Sequence, residues 1–181
     1  MGRRTFINHA HLVTSALQFA VETRRPGLVS LLVGAGARLQ RPVLHTAVRL
    51  AGYVTGQEIA LLLASHGAEV TEPETEEAGA RRPLDWAVAV NSLELCEELL
   101  RLGARPHSVP TQLLATASPQ VRSLIVKAKS EVPTLEHLAK IVIRSSLVNV
   151  NSITVSNGNT STFRERLFSL HLPQKLLSTI L

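Results

Sequence analysis

The groups through which this chain could do chemistry are seven histidines, one cysteine and a glycine-rich stretch, and none is spaced for a reaction. His9 and His11 stand close together, but no Cys, Asp or Glu joins them at metal-ligand spacing, so no metal and no cofactor is expected. Gly34-Ala35-Gly36-Ala37 lacks the third glycine of a dinucleotide loop. It also follows a helix-like run, whereas a nucleotide turn follows a strand. Cys96 sits in the apolar run Leu95-Cys96-Glu97-Glu98-Leu99-Leu100 and reads as a packed thiol, not a nucleophile. The chain is therefore expected not to be an enzyme.

Composition narrows the elements that could position a binding site. Apolar residues make up 45% of the 181 and aromatics only 3%, so a core must be built from Leu, Val and Ala, as in small-residue helix packing. The length suits one compact domain or an elongated array with an appendage. The formal charge of +5 has the sign for nucleic-acid binding. The basic residues, however, are scattered, and the runs Arg3-Arg4, Arg24-Arg25 and Arg81-Arg82 are pairs only, with no aromatics between them to stack on bases. A solvated basic surface and no nucleic acid are expected. A lone cysteine excludes an internal disulfide framework and fits a reducing compartment. No apolar run reaches the roughly 20 residues of a membrane span, and none resembles a signal peptide. A cytoplasmic protein, with the nucleus also open to it, and no membrane partner are the expectations. Phe6 stands where myristoylation after Met1-Gly2 wants Ser or Thr, and the glycosylation spelling Asn159-Thr160-Ser161 is idle in a cytosolic chain.

From Leu12 onward one pattern recurs. The pairs Gly36-Ala37, Gly67-Ala68 and Gly103-Ala104 lie 31 and 36 residues apart, each after an apolar helix-like run. Glycine there supplies the left-handed conformation that closes a helix. Sixteen residues before Gly36 and Gly103 stand Ala20, in Ser15-Ala16-Leu17-Gln18-Phe19-Ala20, and Ala87, in Arg82-Pro83-Leu84-Asp85-Trp86-Ala87. The middle unit departs: Leu44-His45-Thr46-Ala47 fits, but Ala47 lies twenty residues before Gly67. The four additional residues call for one more helical turn near Leu50 to Thr55, or a longer loop at Gly52 and Gly56.

These three units resemble ankyrin repeats, whose period is about 33 residues and whose motif is Thr-Pro-Leu-His-x-Ala. The resemblance implies a structural hydrogen bond for His45. A degenerate fourth unit, with helices over Thr111 to Thr116 and Pro119 to Ala128, would close the solenoid. The units span 14–41, 42–71, 81–107 and 108–129, within a repeat domain of 14–129 preceded by a short segment, 1–13. Five glutamates between Glu69 and Glu77 form a lengthened acidic finger, expected to be a solvated loop. Such repeats bind through finger tips and the inner helix face, which makes Arg38, Gln40, Arg41, Glu69, Thr71, Arg105 and His107 the target-binding candidates by position.

The last segment, 133–181, carries a different pattern. Leu135, Ala139 and Ile143 repeat every four residues with Leu138 and Val142 beside them, giving a helix one broad apolar stripe. Thr134 suits the N-cap, Glu136 the first turn, and Lys140 and Arg144 the basic end. At these residues the chain resembles a SOCS box, whose helix of pattern Thr/Ser/Pro-Leu-x-x-x-Cys-x-x-x-aliphatic binds Elongin C. Here Ala139 holds the cysteine position. The family's second motif, aliphatic-x-x-Leu-Pro-aliphatic-Pro, selects the cullin and reads Leu167-x-x-Leu170-His171-Leu172-Pro173, with His171 for the first proline. Thr179-Ile180 stands where an aromatic-Leu pair is usual. Between the motifs, 148–166 is rich in Asn, Ser and Thr and is expected to be a poorly ordered insertion.

The expected architecture is all-α: an ankyrin solenoid of about three repeats with a degenerate cap, then a small helical SOCS box. The order of the halves resembles the ankyrin-repeat and SOCS-box family of ubiquitin-ligase substrate receptors. It implies partners Elongin B/C, a cullin with its RING subunit, and a target protein for ubiquitination. A plain ankyrin scaffold or inhibitor, with the last helix as a cap, is the alternative.

Overall fold

Several helices in this chain start at proline or serine and stop just before a left-handed residue, as at Arg24, Gly36, Gly67, Asn91 and Gly103. The computed structural model describes residues 9–75, 77, 79–153, 163–170 and 172. Among these the chain is all-α, with ten helices, one short 3-10 turn and no strand. The first pair is α1 (His9–Glu22) and α2 (Pro26–Gly34), the second α3 (Arg41–Arg49) and α4 (Val54–Ser65), and the third α5 (Pro83–Ala89) and α6 (Leu93–Arg101). After the 3-10 turn Pro106–Ser108 come α7 (Thr111–Thr116) and α8 (Pro119–Ser130). The odd helices stack in one row, α1 on α3 on α5 on α7, and the even helices in a second, α2 on α4 on α6 on α8.

Local chemistry accounts for the helix ends. Pro26, Pro42, Pro83 and Pro119 occupy first turns, where a missing amide proton leaves no intrahelical bond unmade. The Ser92 and Ser118 hydroxyls accept from the Leu95 and Val121 amides, each at 3.4 Å, and cap α6 and α8. Gly67 and Gly103, with φ of +92° and +104°, close α4 and α6. There Ala68 and Ala104 donate back to the carbonyls of Leu63 and Leu99 at 3.0 and 2.9 Å.

The two rows enclose one continuous core, containing Leu17, Val29, Leu44, Ile59, Leu63, Leu84, Leu95, Leu99 and Ile125. Ala20, Ala47 and Ala87 have no accessible surface, so the rows meet at positions where a larger side chain finds no space. The second pair takes its extra residues mainly into α4, which has 12 residues against 9 in α2 and in α6. The added turn is tight: a Cβ on Gly56 would stand 2.5 Å from the Leu50 carbonyl carbon.

Beyond the stack lie α9 (Leu135–Ile153) and α10 (Phe163–Ser169), which pack on each other. Residues 9–13 of the short N-terminal segment form the start of α1. One expectation is corrected here. The helix expected to end near Arg144 runs on to Ile153, and α10 begins at Phe163, so both ends of the polar 148–166 insertion are helical; 154–162 lie outside the described residues. Leu147 and Val148 pack with Ile143, Phe163, Leu167 and Leu172 in a second small core, and that burial outweighs the weak helix propensity of Asn and Ser.

Candidate functional site

α9 begins where its sequence asks it to. The Thr134 hydroxyl accepts from the His137 amide at 3.2 Å, and Lys140 pairs with Glu136 at 2.8 Å one turn apart. From there the helix presents two apolar faces. Leu135 is 84% exposed, Leu138 45% and Val142 62%, with Ala139 exposed between them. Ile141, Arg144, Leu147 and Val148, at spacings of three, three and one, form the opposite, inward face.

The inward face rests on the ends of α4 and α6. Ile141 lies over Gly103, where an added Cβ would stand 2.8 Å from its Cγ1. Arg144, 4% exposed, donates from Nη2 to the Ala64 carbonyl and, at 3.2 Å, to that of Ala68. The Ala64 carbonyl lies in the last turn of α4, at its negative end, and Ala68 just past it, so a guanidinium is favoured there by charge as well as by hydrogen bonding. The Phe163 ring lies 5.2 Å from the same guanidinium and packs on Gly67. Burial lowers the Arg144 pKa to about 10, with Glu69 and Glu98 opposing the shift and Arg101 adding to it. It stays charged at neutral pH. The sequence placed Arg144 at the end of its own helix; in the fold it is mid-helix and serves the end of another.

The expected binding residues thus divide. Leu135, Leu138, Ala139 and Val142 share the free face, whereas Ile143 is half-buried against the second core. Leu167 has no accessible surface and packs with Phe163 and Leu147, so it is a core residue and not a direct contact surface. Leu170 is 45% exposed, Leu172 is half-buried, and His171 and Pro173 lie outside the described residues. Phe168, exposed on α10, was not singled out in the sequence. Covering a free helix face of this kind with another apolar surface would be worth roughly 1.5–3 kcal/mol per Leu or Val.

The seven target candidates occupy the segments linking successive pairs. Gln40, Arg105 and His107 are exposed, Arg38 is half-buried, and Arg41 opens α3. Glu69 and Thr71 are bonded to each other, the carboxylate accepting from the Thr71 amide at 2.9 Å and its hydroxyl at 2.7 Å. The loop they belong to is tied down as well: Glu74 faces Arg49 at 3.6 Å, and Arg82 Nε donates to the Thr71 carbonyl at 3.2 Å. Buried His45 places Nε2 3.2 Å from the Glu72 carbonyl. The expectation of a wholly solvated loop therefore holds for Glu72 and Glu77 but not for Glu69 or Glu74.

One pair of catalytic residue types meets in the fold. Ser65 Oγ lies 3.3 Å from His66 Nδ1, but that nitrogen is 2.8 Å from the Leu62 carbonyl and must donate to it, so it cannot take the serine proton. Burial, with Glu97 adding to it, raises the Cys96 pKa to about 12, which keeps the sulfur a thiol. Among the described residues no group of His, Cys, Asp and Glu could hold a metal, and no helix is long and apolar enough to cross a membrane. In comparisons with known proteins, no family model and no curated protein matches this chain.

Proposed function

We propose that this chain is the non-catalytic substrate-recognition subunit of a cullin–RING ubiquitin ligase, in which ankyrin repeats hold the target and a C-terminal SOCS box recruits Elongin B/C and a cullin. The observation that carries this reading is the free face of α9. Leu135, Leu138, Ala139 and Val142 are held in solvent by a helix whose other side is already engaged; Leu135 and Ala139 align with the Elongin-binding motif, Leu138 and Val142 flank it, and its last position, Ile143, is half-buried. The stacked pairs and the recurring Gly-Ala helix ends support the ankyrin half of the reading. Ubiquitin transfer belongs to the recruited RING subunit and its partner enzyme, and the target is marked for proteasomal degradation.

The docking of Ile141 and Arg144 favours a second reading, in which α9 only closes an ankyrin scaffold or inhibitor. That reading leaves the free face without a use. Co-expression with Elongin B/C and purification through a tag on this chain separates the two. The ligase reading expects a stoichiometric ternary complex, and its absence would leave the scaffold.

A further inference from the structure

We infer that the Arg144 guanidinium locks the C-terminal helices onto the second and third helix pairs, so that the free face of α9 is held at one fixed position relative to the repeats. A SOCS-like module could equally hang from residues 131–134, which form no helix between α8 and α9. Three contacts oppose that. Ile141 closes on Gly103, Phe163 closes on Gly67, and Arg144 reaches two carbonyls at the end of α4, 80 and 76 residues away in the chain. The two glycine contacts exist because a position that closes a helix with a left-handed backbone also lacks a side chain, which leaves a flat seat for an incoming ring or isoleucine.

Among these contacts Arg144 is the one that specifies a single arrangement. Apolar side chains tolerate sliding by a fraction of a turn, but a buried guanidinium must keep its acceptors or leave a charge unsatisfied, which is costly. Both bonds leave one nitrogen, Nη2, while the planar group lies 5.2 Å from the Phe163 ring; lysine would carry the charge but not that plane. Ala68 also adjoins Glu69, whose carboxylate accepts from Thr71, while the Thr71 carbonyl accepts from Arg82. The lock therefore ties α9 to the root of the longest loop of the array. These contacts belong to the chain alone, so the lock and the ligase reading can fail independently.

The test is a distance distribution between spin labels at Ser30→Cys on α2 and Ser145→Cys on α9, both exposed, in the full chain; buried Cys96 remains unlabelled. The natural background should give one narrow distance. Arg144→Met should lose that peak in favour of a broad distribution at a temperature where circular dichroism shows the repeats still folded. Where Arg144→Met does not fold, Arg144→Lys takes its place and should broaden the peak. A broad distribution in the natural background overturns the lock, and so does a peak left unchanged by the Arg144 variant.

Discussion

The ring of Phe163 lies so close to Gly67 that a Cβ built on that glycine would stand 2.5 Å from its Cγ. The same glycine holds a φ of +92°, so one residue both ends α4 and seats α10. Gly67→Ala should therefore pay twice, roughly 1–2 kcal/mol for the left-handed backbone and 1–3 kcal/mol for overpacking. Gly79→Ala, at φ +88° with open space around it, should show only the first effect. Urea unfolding of both variants, and of Gly67→Ala with Phe163→Ala, checks this. Equal losses at the two glycines would rule out the Phe163 contact as an energetic term.

Leu135 is almost fully exposed, so Leu135→Asp should leave the melting temperature of the chain unchanged. Its side chain is the one the motif offers to the Elongin pocket, and losing roughly 1.5–3 kcal/mol there lowers affinity at least about tenfold. Calorimetry against Elongin B/C measures it, and unaltered affinity would refute the assignment of this face. Ala139→Cys should tighten the same complex.

Leu167 and Leu170 belong to one expected cullin motif but occupy different environments, one without accessible surface and one 45% exposed. Leu167→Ala should cost about 2–5 kcal/mol in the docking of α10, visible as faster amide exchange across Phe163–Ser169. Leu170→Ala should spare that exchange and weaken cullin association alone. His171→Pro should strengthen the association by restraining the backbone of Leu170. Identical exchange in the two alanine variants would contradict the burial of Leu167.

Asp85 lies in the first turn of α5, where Oδ2 accepts from the Arg82 amide at 2.8 Å while Oδ1 is buried without a partner. Burial raises its pKa above 3.8, outweighing the Arg82 amide and the charges of Arg82, Arg81 and His45. A carboxyl whose folded pKa exceeds its unfolded value contributes stability below the unfolded pKa, and that contribution is lost as pH rises through the folded one. Asp85→Asn keeps the acceptor and removes the charge. Its unfolding free energy relative to the natural chain should improve from about pH 4 to about pH 7. A difference that does not move with pH would show that the carboxyl is not desolvated.

Cys96, buried in α6 with a pKa near 12, should resist alkylation in the native chain and react at the rate of unfolding. Mass spectrometry after iodoacetamide treatment, with and without urea, reports it. Rapid native labelling would mean that α6 opens locally.

Helix ends were legible in the sequence because their chemistry is local. Gly67, Gly103 and Pro83 each act on backbone groups within a few residues, and the stretches expected over Thr111 to Thr116 and Pro119 to Ala128 are helical, the second running on to Ser130. The same holds for Thr134 at the start of α9. What the sequence by itself left undecided is which side of α9 is covered. Leu135, Leu138 and Val142 make one apolar face and Ile141, Leu147 and Val148 another, so periodicity alone does not choose between them. The choice falls to Gly67, Ala64, Ala68 and Gly103, far away in the chain, which offer Phe163, Arg144 and Ile141 flat seats and carbonyl acceptors. Those partners meet only once the rows have stacked, and for that reason Arg144 reads as the tail of its own helix in the sequence and becomes the cap of another in the fold.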